Sequence, residues 1–242
     1  MTDFARLSIA AASKMIRSGA ISPVEYTRAL LDRIESHDGR INAFIRVMRE
    51  SALAAARKAE AEIAGGNWRG PMHGVPYALK DIIDVAGIPT TCHSKILADN
   101  IAASDAEVGR RLKDAGGILL GKTSTHEFAI GGPSFDLPWP PARNPWNPDH
   151  FTGGSSSGSG AALAAGFVPA ALGTDTGGSV RNPASFCGIT GMKGTCGRVS
   201  RRGVFPLSFS LDHVGPMTRG VEDNAMLMNI IAGHDPADPG SA

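Results

Sequence analysis

A chain of 242 residues, 42% apolar and 19% charged, is long enough for one sizeable folded domain and too apolar to be disordered. Its formal net charge of +1 offers no face that would draw it to nucleic acid or a membrane surface, and its N-terminus lacks the apolar run of a signal peptide or span. Three cysteines, Cys92, Cys187 and Cys196, form no C-x-x-C pair and leave an odd number, which favours a reducing compartment; a cytoplasmic protein is expected.

In chain order, residues 1–20 read as a first amphipathic helix. Ser22-Pro23-Val24-Glu25 predicts a second, with Ser22 as cap, Pro23 in the first turn and Glu25 completing a capping box. Tyr26, Leu30, Leu31 and Ile34 keep helical spacing, and the helix is expected to end near His37. Ala43 to Val47 reads as a short strand. Ser51 to Ile63 reads as an alanine-rich helix stopped by Gly65-Gly66. GVPYALKDIIDVAG gives a buried strand carrying Lys80, Ala106 to Ala115 a helix, and Gly117 to Leu120 a core strand. Residues 131–151, rich in Pro, Trp and Asn, predict an ordered loop. Ile189 to Lys193 is a further candidate strand, and Val221 to Ile231 an amphipathic helix with Met226, Leu227, Ile230 and Ile231 inward. Strands alternating with helices imply an α/β fold: a mixed, largely parallel sheet covered by helices on both faces. Residues 1–65 form an N-terminal helical region and 66–242 the core.

The stretch from Gly153 to Pro183, GGSSSGSGAALAAGFVPAALGTDTGGSVRNP, holds two glycine-flanked serine sites, Ser155 to Ser157 and Ser179. Small residues let a backbone approach a substrate closely, and a serine among them can present its hydroxyl while neighbouring N–H groups face a developing negative charge. A flexible linker is the plain alternative for TGGSSSGSG alone, but AALAAG and FVPAAL follow directly and read as core.

Two short patterns lead elsewhere. Residues 116–123 fit the phosphate-loop pattern G-x-x-x-x-G-K-[ST], which needs a preceding strand and a following helix, but Ile118-Leu119-Leu120 is itself the strand, with Lys122 just past its end. Residues 154–158 fit G-x-S-x-G, but the loop NPWNPDHFTG stands where a nucleophile elbow needs a strand. S-x-x-K, H-E-x-x-H and metal-ligand spacings are missing, so no metal or cofactor is implied; the scattered histidines read as surface or packing residues. With no histidine placed beside a serine, Lys80 is the candidate base, provided burial depresses its usual pKa of about 10.4. Local sequence equally allows a surface lysine paired with Asp81 or Asp84.

In HGVPYALKDIIDVAGIPTT, GGSSSGSGAALAAG, GTDTGGSVRNPASFCGITGMK and SLDHVGPMTR the chain resembles the amidase signature hydrolases. The resemblance implies a Ser–Ser–Lys triad of Ser179 as nucleophile, Ser155 as bridging serine behind a cis peptide bond, and Lys80 as base. It also implies an oxyanion hole from the N–H groups of Thr176, Gly177, Gly178 and Ser179. Asp175 and Arg181 would hold the loop, and Ser156 would orient Ser155 or cap the next helix, a role that suits Ser157 better. Gly194 and Cys196 replace the proline and tyrosine usual after Lys193. The implied activity is hydrolysis of a small-molecule carboxamide to acid and ammonia or amine. The alternatives are a glutaminase-type subunit of a tRNA-dependent amidotransferase and a truncated, non-catalytic form. Family members are usually about twice this length, so an incomplete sheet is expected. The expected partners are the amide substrate and a homodimer or amidotransferase subunits, without direct contact to nucleic acid or membrane.

Overall fold

The computed structural model describes residues 3–242. Ser8 caps the first helix, α1 (Ile9–Arg17), its Oγ accepting the Ala11 N–H at 3.0 Å. α2 (Pro23–Ile41) begins as its sequence predicts, with Ser22 Oγ accepting from the Val24 and Glu25 N–H groups. It runs past His37 because Ile41 is buried, and because Asn42 turns left-handed at φ 57° to close the end. Asp38 then caps the following segment through the Ala43 and Phe44 N–H groups at 2.7 and 3.2 Å. β1 (Phe44–Val47) and α3 (Arg49–Ala64) follow. Glu25 does not close a capping box; the Ser22 hydroxyl donates instead to Glu60 of α3.

The remaining elements are β2 (Pro76–Lys80), α4 (Glu107–Asp114), β3 (Ile118–Thr123), α5 (Ser157–Ala164), β4 (Ala170–Thr174), α6 (Arg181–Cys187), β5 (Thr190–Gly191), β6 (Val214–Thr218) and α7 (Val221–Ile231). They build one six-stranded sheet in the order β1-β3-β2-β4-β6-β5. The mixed sheet has its parallel part at the centre, where β2 pairs with β3 and β4; the outer pairings β1–β3, β4–β6 and β5–β6 are antiparallel.

β2 and β4 are buried along their whole length, as expected of central strands covered on both sides. Tyr77, Leu79 and Leu119 line a groove with Ala55 of α3 and Gly109 of α4. A register irregularity between Tyr77 and Ala78 lets β3 change face, so Lys80 pairs with Thr123 and both turn towards α5, where the Thr123 and Ser159 hydroxyls meet at 2.8 Å. α5 lies tight on this face: a Cβ on Gly158 would stand 2.3 Å from the Ala43 carbonyl oxygen and 2.4 Å from the Ser124 nitrogen. α7 has the predicted bounds, with Leu227 and Ile231 buried and Met226 and Ile230 half-buried. Residues 131–151 form no helix or strand, in keeping with the predicted loop. No helix among the described residues is long and apolar enough to cross a membrane.

Candidate active site

Lys80 closes β2 and is fully buried, which removes the surface reading of this residue. Its Nζ lies 2.7 Å from Ser155 Oγ and 2.8 Å from Thr174 Oγ1, two hydroxyls brought from just before α5 and from the end of β4. Burial disfavours the ammonium form and brings the Lys80 pKa down to about 7, while the negative charges of Asp212 and Asp175 and the nearby Cys92 oppose the fall. Asp81, one of the proposed surface partners, instead pairs with Lys122 at 2.8 Å, both side chains fully buried. Lys122 therefore belongs inside β3, not just beyond a strand end as its sequence suggested, and serves no phosphate loop.

The Gly154–Ser155 peptide bond is cis. The Gly154 N–H donates to Asn182 Oδ1 at 3.0 Å, and the Ser155 carbonyl accepts the His126 N–H at 3.1 Å. Gly154 is obligatory here, since a Cβ would stand 2.1 Å from the His126 ring. His126 stacks on Phe151, and burial, followed by the positive charge of Lys80, lowers its pKa to about 4, so it is a neutral packing residue at physiological pH. Ser156 Oγ bonds both backbone groups of Thr174, the carbonyl at 3.3 Å and the N–H at 3.2 Å, and so couples the start of α5 to the end of β4. Ser157 is not a cap but the first residue of α5, and no side-chain cap bond is formed there.

Ser179 sits on the turn between β4 and α6, half-buried. Its link to Ser155 runs through the backbone: the Ser156 N–H donates to the Ser179 carbonyl at 3.2 Å, and no hydrogen bond joins the two side chains. Such contacts commonly tighten only when substrate is in place. Asp175 organises the turn. Its carboxylate accepts the N–H groups of Gly178, Val180 and Arg181 and a two-pronged contact from the Arg181 guanidinium at 2.9 and 3.0 Å. Burial alone would raise its pKa; these donors outweigh it and hold the carboxyl far below the usual range. Asp175 and Arg181 together pin the turn that bears Ser179. The cradle differs from expectation at one donor: the Gly178 N–H is taken by Asp175 at 2.7 Å. The N–H groups of Thr176, Gly177 and Ser179 find no acceptor among the described residues.

The Amidase family profile matches residues 25–242. The chain belongs to the amidase family. It is 49% identical over 236 residues to a glutamyl-tRNA(Gln) amidotransferase subunit of Carboxydothermus hydrogenoformans, covering 98% of this chain and 49% of that one. Among solved structures, a chain from a vestigial complex bearing on the origins of an s-triazine catabolic enzyme superposes with a TM-score of 0.94 at 41% identity, covering 98% of this chain and 52% of that one. The peptide amidase of Stenotrophomonas maltophilia superposes with a TM-score of 0.92 at 38% identity, covering 99% and 50%. The chain spans about half the length of the curated relatives it matches.

Thr174, Lys193 and Asp212 also enter the site, and sequence reasoning gave them no role. Lys193 Nζ donates to the Thr176 carbonyl at 2.7 Å and lies 3.5 Å from Asp175. Thr174 and Asp212 both stand in the segments that carry the family resemblance, GTDTGGS and SLDHVGP, and that position was the available signal.

Proposed function

We propose that the chain carries a Ser–Ser–Lys acyl-transfer site that hydrolyses the C–N bond of a small-molecule carboxamide. The observation that carries this reading is the contact between Lys80 Nζ and Ser155 Oγ, made by an amine whose burial brings its pKa to about 7. A neutral amine there accepts the Ser155 proton as Ser155 accepts that of Ser179. Ser179 Oγ then bonds to the amide carbon, and the carbonyl oxygen becomes an oxyanion facing the N–H groups of Thr176, Gly177 and Ser179. The proton returns along the same path to the leaving nitrogen, the C–N bond breaks and an acyl-serine remains. Water, deprotonated by the same relay, releases the carboxylate and restores Ser179. Ser179→Ala is expected to abolish amide turnover in a panel assay; turnover that survives it contradicts the reading.

A second reading is favoured by the 49% identity to a glutamyl-tRNA(Gln) amidotransferase subunit. In it the same chemistry acts on glutamine and passes ammonia to a partner. Glutamine hydrolysis that appears only when the other amidotransferase subunits are added distinguishes it from a free-standing amidase.

A further inference from the structure

Thr176 opens the turn that carries Ser179, and the structure holds it from two sides. Its hydroxyl donates to Asp212 Oδ1 at 2.5 Å, and its carbonyl accepts from Lys193 Nζ at 2.7 Å. A hydroxyl given to a carboxylate is a charge-assisted bond, roughly twice as strong as a neutral one. Threonine is stiff about its first side-chain torsion, so fixing Oγ1 constrains the backbone that bears it. Of the polar groups of Thr176, the N–H alone finds no acceptor among the described residues.

Asp212 is itself anchored. Its second oxygen accepts the N–H groups of Leu207 and Ser208 at 2.8 and 2.9 Å, which fasten it to the loop leading into β6. Next to it, His213 and Asp175 exchange backbone bonds, Asp175 N–H to His213 carbonyl at 2.8 Å and the reverse at 3.2 Å. The carboxylate therefore bridges two segments that are remote in sequence, the 207–208 turn and the residue that starts the anion cradle.

We propose that Asp212 is a positioning residue for the oxyanion-binding turn: by gripping the Thr176 hydroxyl opposite Lys193, it fixes the direction of the free Thr176 N–H. The inference rests on the amidase reading of Ser179. It assigns Asp212 no contact with substrate and no part in proton transfer.

Two measurements test it on the intact chain. The first is the rate of Ser179 labelling by a fluorophosphonate, whose phosphoryl oxygen must enter the same cradle. Asp212→Ala and Thr176→Val should each slow labelling by about 10-fold to 10²-fold, the scale of a small misplacement in a site. The double variant should be no slower than the slower single, because both remove one contact; multiplicative losses would overturn the proposal. The second needs no reactive serine. Amide hydrogen exchange should rise in Asp212→Ala both at residues 207–208 and across residues 174–180, and in Thr176→Val across residues 174–180. Faster exchange confined to 207–208 in Asp212→Ala would overturn the inference whatever the labelling shows. A wild-type Ser179 inert to the probe, with exchange coupled as expected, would count against the amidase reading and not against the clasp.

Discussion

At Lys80 two influences compete: burial lowers the proton affinity of the amine, and the negative charges of Asp212 and Asp175 restore part of it. On the proposed reading Lys80 acts as a neutral base, so kcat/KM is expected to rise with pH through a limb near 7. Asp212→Asn removes a charge that favours the ammonium, so the limb should move to lower pH; a pH profile of the two proteins checks this. The same amine affects stability. Its folded pKa lies below the ordinary 10.5, so the unfolded chain holds the proton more tightly. The resulting cost is full at and below about pH 7 and fades as pH rises towards 10.5. The Tm advantage of Lys80→Met over wild type should therefore shrink between pH 7 and 10, whatever its size at pH 7. Local sequence left Lys80 poised between surface and core. What settles its position is the pairing of β2 with β3 and β4, contacts too remote in the chain for local periodicity to register.

At the scale of elements, α7 was legible to the residue because Gly220 precedes it and Leu227 and Ile231 keep helical spacing on its buried side. β6 was not: Pro216 stands in its middle, and proline normally argues against a central strand. The fold tolerates it, since Pro216 still supplies a carbonyl to the Met192 N–H and to Asn224 Nδ2 at 3.2 and 3.0 Å. α6 was missed for a similar reason. Its third residue is Pro183, in the first turn, where a helix needs no N–H from it. β3 extends beyond the strand its sequence predicts, because Gly121-Lys122-Thr123 looks like a loop until Asp81 is found beside Lys122. The serine-rich start of α5 has a sharper requirement than flexibility. Gly158→Ala is expected to cost about 1–3 kcal/mol, the usual range for overpacking, because the new methyl group meets backbone at Ala43 and Ser124. Urea unfolding should show a lower midpoint at unchanged m-value; an unchanged midpoint would mean that α5 sits more loosely against the sheet than these contacts require.

Across the whole molecule, Glu107 joins α4 to the C-terminal region. It accepts from Arg110 and Arg111 on its own helix and from Arg202 Nη2 at 2.6 Å, while Arg202 Nε reaches Asp235 at 2.8 Å. Arg111 adds bonds to the carbonyls of Ile231, Ala232, Gly233 and His234. Hydrogen bonds from Arg110, outweighing burial, bring the Glu107 pKa from 4.5 down to about 2. The stabilisation is present above 4.5 and lost as pH falls through about 2. The fall in Tm over that window should be shallower in Glu107→Gln, as calorimetry at stepped pH would show. None of this network is legible in the sequence, because charges spaced along a chain do not reveal which loops they meet. The mixed α/β architecture and the Lys80–Ser155 pairing are legible, the second through the family resemblance rather than local pattern. Whether Lys80 activates Ser179 is decided by peptide mapping after fluorophosphonate treatment of the wild type and of Lys80→Ala. A single adduct on Ser179, lost in the variant, is expected. An adduct on another residue, or one on Ser179 that forms equally fast without Lys80, would contradict such activation.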